Sequence, residues 1–155
     1  PDLLLAILIV GIFGAGVFPV IVALAITGWP SIARLVRGQV ATLKEREFVQ
    51  ASLALGAKKT YVVVKHILPH LIGLLLAVSM VDLAAGILSE STLSFLGIGV
   101  QPPDPSWGQM INIARQSIFS TPVLLVWPCL VLSMTIFALN FVGDGLRTLT
   151  DPRSR

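Results

Sequence analysis

Charge is scarce in this sequence. Of 155 residues, 12% are Asp, Glu, Lys or Arg, about half the share typical of a soluble domain, and 55% are hydrophobic. That balance argues against an aqueous globule and for the lipid bilayer as solvent. Cysteine is nearly absent. Cys129 stands alone, which excludes a disulfide framework and a cysteine-rich metal site, and it reads as a small buried or lipid-facing hydrophobe. Catalytic signatures are missing as well: there is no G-x-x-x-x-G-K-[ST] phosphate loop, no H-E-x-x-H and no G-x-S-x-G. The Gly97-Ile98-Gly99 run is too short to mean a nucleotide site. No catalytic residue, metal or cofactor is expected, and any ATP must bind on another polypeptide. The chain opens on Pro1 and Asp2 and runs into LLLAILIVGIFGAG with no positively charged n-region. A signal peptide is therefore not indicated, and a fragment whose first helix is already under way is the expectation.

What is present is long uncharged stretches. Residues 3–33, 66–81 and 116–143 carry no charged side chain. A hydrocarbon core of about 30 Å takes roughly 20 apolar residues of helix, so the first and third stretches are long enough outright, and the second becomes so over about Tyr61 to Ala85. A helix over all of Leu3 to Ala33 would reach about 46 Å. Gly11, Gly14, Gly16 and Pro19 crowd its first half, which predicts a break near Gly14 to Phe18. The expected architecture is all-α, a polytopic transmembrane helical bundle with a short helix in one connecting loop. It reads as part of one domain, with spans at 3–14 (partial), 19–40, 61–88 and 122–143, a loop at 41–60 and a segment on the opposite side at 89–121.

Charge sign orients these spans. Between Arg34 and Lys65 seven basic residues face two acidic ones, net +5, and loops rich in Lys and Arg stay in the cytoplasm. The stretch from Glu90 to Arg115 nets −1 and holds QPPDPSW, a run that cannot continue a helix; it is expected outside. Arg147, Arg153 and Arg155 against Asp144 and Asp151 leave +1, which suits a cytoplasmic C-terminus. The basic balance is thus explained by topology, and nucleic-acid binding is not expected.

Within the basic loop, Glu45 to Leu55 has good helix formers and no proline, Gly56 is placed for a C-cap, and Lys58 and Lys59 follow where a helix end favours cations. Such a helix suits either docking to a soluble partner or rest on lipid headgroups. On the next helix Ser79, Asp82, Gly86 and Ser89 recur at spacings of three, four and three and share a face. An intramembrane acid usually faces a bundle interior or aqueous cavity, so this stripe lines a path or meets a partner; a packing seam of small residues is the alternative. His66 and His70 stand four apart, but Pro69 lies between them and no third ligand of zinc spacing is visible. They read as polar residues at the membrane edge. Pro69 removes a backbone donor and should kink or loosen its helix. On the far side, Trp107 to Phe119 has the spacing of a short helix behind the stiff PPDP run, and either contacts a partner or packs as a re-entrant element.

Four stretches carry a family resemblance. Gln50 to Gly56 (QASLALG), with Ile67, Leu68 and Pro69 following, resembles the EAA loop of ABC importer permeases. Ser89 to Met110 (SESTLSFLGIGVQPPDPSWGQM) and Asn140 to Arg153 (NFVGDGLRTLTDPR), with Gly28 to Val40 upstream, resemble the second permease subunit of the dipeptide, oligopeptide and nickel branch. The resemblance implies about six spans in the full subunit, of which roughly the last three and a half are here. It implies an ATPase-coupling helix carried by Glu47, Gln50, Ala51, Ser52, Ala54, Leu55, Gly56 and Ala57, with Ile67, Leu68 and Pro69 as a hinge. It further implies an inner-membrane subunit paired with a second permease, two ATP-binding subunits and an extracytoplasmic solute-binding protein. Pro102, Pro103, Pro105 and Trp107 are then candidates to face that binding protein, and Ser79, Asp82, Gly86, Ser89 and Glu90 to line the path or the permease interface. The sequence departs from the family at Gln50, usually Glu, and at Ser52, usually Ala; Gln keeps the length and hydrogen-bonding capacity and removes the charge. The expected function is translocation in an ATP-driven importer of peptides or a related small solute. A secondary transporter or channel using Asp82 and Glu90 is the alternative, and an intramembrane enzyme is disfavoured by the absent motifs.

Overall fold

The computed structural model describes residues 1–150, and among these all regular structure is helical. Helix α1 (Asp2–Phe13) is followed by α2 (Val17–Lys44), a short α3 (Glu47–Ala54), and a one-turn α4 (Lys59–Val62) that runs through a π turn (Val63–Ile67) into α5 (Leu68–Phe95). A short α6 (Trp107–Arg115) and the long α7 (Val123–Thr150) complete the order. The predicted break falls at Gly14 to Gly16, between α1 and α2. Helix α2 begins two residues before Pro19, because a first-turn proline forfeits only an N–H that has no intrahelical partner. It also continues past Val40 to Lys44. Asp151, Arg153 and Arg155, used above to orient the tail, lie outside the described residues.

Among the described residues three stretches are long and apolar enough to cross a membrane: Val17–Lys44, Lys59–Phe95 and Val123–Leu149. At 12 residues α1 is about 18 Å long and does not reach across. Within the most apolar windows of the three long stretches only 11%, 17% and 11% of residues are buried. Apolar side chains that a soluble protein would hide, among them Trp29, Trp127, Phe137 and Phe141, are exposed along these helices. Their faces suit lipid or protein neighbours and are not the inside of a self-contained globule.

Two compact units divide the chain. One holds Pro1–Trp29 with Val81–Phe141. Its core is Ala6 and Val10 of α1, Val20 and Ala23 of α2, and Leu93 of α5, so the glycine break folds α1 back onto the start of α2. The other holds Pro30–Met80 with the chain from Val142 onward. Its core is Val49, Val62, Ile67 and Leu71, with Val36, Val40 and Leu43 of α2 packed against them.

Candidate functional site

Two clusters assemble some of the residues singled out from sequence, one in each unit. In the second unit, α3 is an eight-residue helix, too short to persist alone, and tertiary contacts must hold it. Val49 supplies the main one: it is completely buried against Val62, Ile67 and Leu71. Gln50 supplies another by donating from Nε2 to the Lys44 carbonyl at 2.7 Å, which satisfies one of the orphan carbonyls at the end of α2. The helix stops as predicted by its C-terminal glycine. Gly56 takes φ +84°, a left-handed conformation that strains any residue with a Cβ. The N–H of Gly56 bonds the Leu53 carbonyl at 3.0 Å, and that of Ala57 bonds Ser52 at 3.1 Å, closing the end of the helix. Glu47, Gln50, Ala51, Ala54, Leu55 and Gly56 are exposed, and Ser52 and Ala57 are half-buried. The helix is two residues shorter at its start than the Glu45 to Leu55 expected, because the chain turns at Glu45 and Arg46.

Beside α3 the rings of the loop meet. Phe48 stacks on His70 with centroids 5.2 Å apart and planes at 21°, and meets the edge of His66 at 6.2 Å. Tyr61 in turn contacts His66 at 5.8 Å. Nδ1 of His70 lies 2.7 Å from the His66 carbonyl oxygen, so that nitrogen carries the proton. An open cleft of about 840 Å³ runs alongside, lined by Gln39, Glu45, Arg46, Glu47, Phe48 and His70. Among the described residues no group of three or more His, Cys, Asp and Glu side chains is placed to hold a metal ion. Of the three residues expected to form a hinge, Ile67 is buried in the apolar core while Leu68 and Pro69 are exposed. Pro69 does not break the helix. The π turn just before it carries a wider hydrogen bond, Leu68 N–H to the Val63 carbonyl, the kind of insertion that accommodates a local misfit in a long helix.

In the first unit, Glu90 is the centre of a polar knot. Its Oε1 accepts from Ser94 Oγ at 2.7 Å and from Ser106 Oγ at 2.8 Å, and its Oε2 from Ser91 Oγ at 3.3 Å. Ser94 Oγ accepts in turn from the Val100 backbone N–H at 2.9 Å. These bonds tie the last turns of α5 to the loop and to the residue before α6. Gly108 completes the closure: a Cβ added there would fall on the carbonyl oxygen of Ser91 and lie 2.6 Å from its carbon, so α6 meets α5 backbone to backbone. Asn112 Nδ2 bonds the Phe95 carbonyl at 2.7 Å, and the Arg115 guanidinium lies over the Phe95 ring at 5.1 Å. Pro105 and Trp107 line a pocket of about 380 Å³ with Glu90, Ser106 and Met110, while Pro102 and Pro103, joined by a cis peptide, are exposed outside it. Helix α6 ends at Arg115, short of the expected Phe119, because the backbone tightens there into three-residue turns.

The polar stripe of α5 is not gathered into either cluster. Ser79 and Asp82 are exposed, Gly86 and Ser89 half-buried, and Ser79 Oγ bonds back to the Leu75 carbonyl at 2.7 Å. Sequence reasoning does not reach Phe48, Ser106 or Gly108, whose partners are 16 or more residues away along the chain. Ser94 had a signal, since it stands four residues beyond Glu90 on a helix.

Over residues 1–155 the chain matches the family of binding-protein-dependent transport system inner membrane components. It belongs to that family. It is 39% identical over its whole length to the oligopeptide transport system permease protein OppC of Haemophilus influenzae. It is 40% identical over 153 residues, 99% of the chain, to the glutathione transport system permease protein GsiD of Escherichia coli, and equally to that of Shigella flexneri. The chain spans about half the length of these relatives. The all-helical fold, the three membrane-length helices and the resemblance read from the loop and the Ser89 to Met110 run all agree with this membership, and the chain is part of a multi-pass inner-membrane protein.

Proposed function

We propose that this chain is part of the translocation subunit of an ATP-driven importer for peptides or a related small solute. It works with a second permease, two ATP-binding subunits and a solute-binding protein outside. The carrying observation is the build of α3: a short helix between two membrane-length stretches, anchored by Val49 and presenting Gln50, Ala51, Ala54 and Leu55 outward. The small exposed residues Ala51, Ala54 and Gly56 let a partner approach closely, and the basic balance of the flanking loop favours the cytoplasmic side. The names of the relatives, oligopeptide and glutathione permeases, support a peptide-like solute. In this proposal closure of the ATPases on ATP displaces α3 as a unit, α5 follows, and the path switches from inward to outward opening. Differential binding of the ATPases to the two states drives the switch; no chemistry occurs in this chain. Ser79, Asp82, Gly86 and Ser89 are proposed to face the path or the second permease, and Trp107 and its prolines the binding protein. The C-terminus lies in the cytoplasm.

Replacing Gly56 by Trp in the full-length subunit tests the assignment. A Cβ at that φ costs about 1–2 kcal/mol, and the indole adds bulk where the ATPase would seat. ATP-driven uptake and solute-stimulated ATP hydrolysis are expected to fall together. Unchanged values of both would remove α3 from the coupling role. A secondary transporter using Asp82 and Glu90 is the alternative, and it would take up solute along an ion gradient in ATP-depleted vesicles. The three serine hydroxyls already on the Glu90 carboxylate weigh against it.

A further inference from the structure

We infer that Phe48 is a positioning residue: through a chain of four rings, Tyr61, His66, Phe48 and His70, it locks the coupling helix to the start of α5 across the soft point at Pro69. The inference rests on the coupling role proposed for α3. The backbone between α3 and α5 is a poor transmitter of motion. It passes through the Gly56 turn, the one-turn α4 and the π turn, and Pro69 has no N–H to contribute to the helix. A push on α3 carried only along that path would be absorbed before it reached the membrane.

The rings bypass it. Phe48 lies on α3, His66 in the π turn before Pro69, and His70 just after it. Phe48 touches both histidines, by a stack at 5.2 Å and an edge contact at 6.2 Å. The contact of His70 Nδ1 with the His66 carbonyl at 2.7 Å fixes the imidazole that Phe48 stacks on, and Tyr61 backs His66 from α4. Val49, the next residue, points instead into the apolar core. Apolar contact of that kind is non-directional and tolerates sliding, whereas ring pairs favour particular offsets and tilts. The division of labour follows: Val49 keeps α3 docked, and Phe48 keeps it in register with α5.

The experiment uses the full-length subunit assembled with its permease partner and ATPases, with other cysteines removed and spin labels placed at Leu53→Cys on α3 and Leu76→Cys on α5. The distance between labels is measured without nucleotide and with ATP trapped by vanadate. With Phe48, and with Phe48→Tyr or Phe48→Trp, one narrow distance is expected in both states. With Phe48→Leu, which fills similar space without a ring face, the trapped-state distribution is expected to become roughly twofold broader, because the stacking preference is lost. His70→Leu breaks the same stack from the α5 side and should broaden it likewise, so the outcome does not hang on one variant folding. A distribution as narrow with leucine as with tyrosine overturns the ring linkage while leaving the coupling role intact. If the unsubstituted subunit binds no ATPase, the coupling role fails, and this inference with it.

Discussion

The two clusters are built from opposite materials. Around Glu90 the contacts are polar and mostly short: one carboxylate gathers three hydroxyls, two of them within 2.8 Å, a serine passes the connection on to the Val100 N–H, and Gly108 lets two backbones touch. Around Phe48 they are rings and aliphatic side chains, with much of α3 exposed. Hydrogen bonds to a charged acceptor are strong and narrow in geometry, and a close backbone approach leaves no slack. Aliphatic contacts are non-directional and can be remade after a small shift, whereas the ring pairs favour particular offsets and tilts. The knot is therefore suited to hold α6 on α5 as one piece, and the ring cluster around Phe48, a clasp, to hold α3 in register with the start of α5 above an apolar bed, as the proposed coupling role requires.

The largest expected effect comes from breaking the knot where it has no slack. Gly108→Val places a branched side chain on the Ser91 carbonyl, and no side-chain rotation relieves a clash with backbone. Overpacking ordinarily costs about 1–3 kcal/mol and sometimes more; with main chain as the obstacle the upper end applies. The amount of full-length subunit recovered folded from membranes should fall sharply, while Gly38→Val, whose Cβ meets nothing within 4 Å, should leave that amount much closer to normal. Equal recovery of the two variants would show that α6 is free to lift from α5.

Next in size is Glu90→Ala. It leaves the hydroxyls of Ser94 and Ser106, both buried, without their shared acceptor, at about 1–3 kcal/mol. The loop from Gln101 to Pro105 should become a preferred cut for a protease added to the purified subunit in detergent, and Glu90→Gln, which keeps an acceptor oxygen, should lie between. Should Glu90→Ala resist cleavage like the parent, the glycine contact alone holds the segment. The same comparison separates the knot from an ion site, since Ser106→Ala would loosen the loop yet leave a coupling ion its carboxylate.

How much of this was legible follows from the range of each contact. The three membrane-length helices, the break near Gly14 and the stop at Gly56 are written locally, in runs without charge and in glycines at turns. Helix α3 was placed within two residues for the same reason. The knot was half legible: Glu90 and Ser94 are four apart on a helix, but Ser106 arrives from 16 residues on, and nothing in a lone glycine announces that Gly108 will face the Ser91 carbonyl. The clasp was legible only as a pair of histidines with a proline between them. Its third member, Phe48, comes from another helix, and spacing carries no information about that.

The smallest expected effect bears on the family departure at Gln50. Its Nε2 donates to the Lys44 carbonyl at 2.7 Å, at an exposed position. Gln50→Glu introduces the residue that the EAA-loop resemblance leads one to expect and withdraws that donor, because an ionised carboxylate only accepts. One exposed hydrogen bond is worth about 0.5–1.5 kcal/mol, here near the lower figure. A glutamate must therefore turn away from the end of α2 and toward whatever covers α3. If the ATPase proposed to cover α3 offers a cation there, Gln50→Glu should tighten ATPase association in a salt-dependent way, with the gain fading as ionic strength rises. If it offers none, association should weaken slightly and without salt dependence. Titrating the purified ATPase onto the full-length subunit at low and high salt distinguishes these outcomes. In the second case, glutamine at this position serves the loop itself, holding the end of α2 to α3 by a bond that glutamate cannot make.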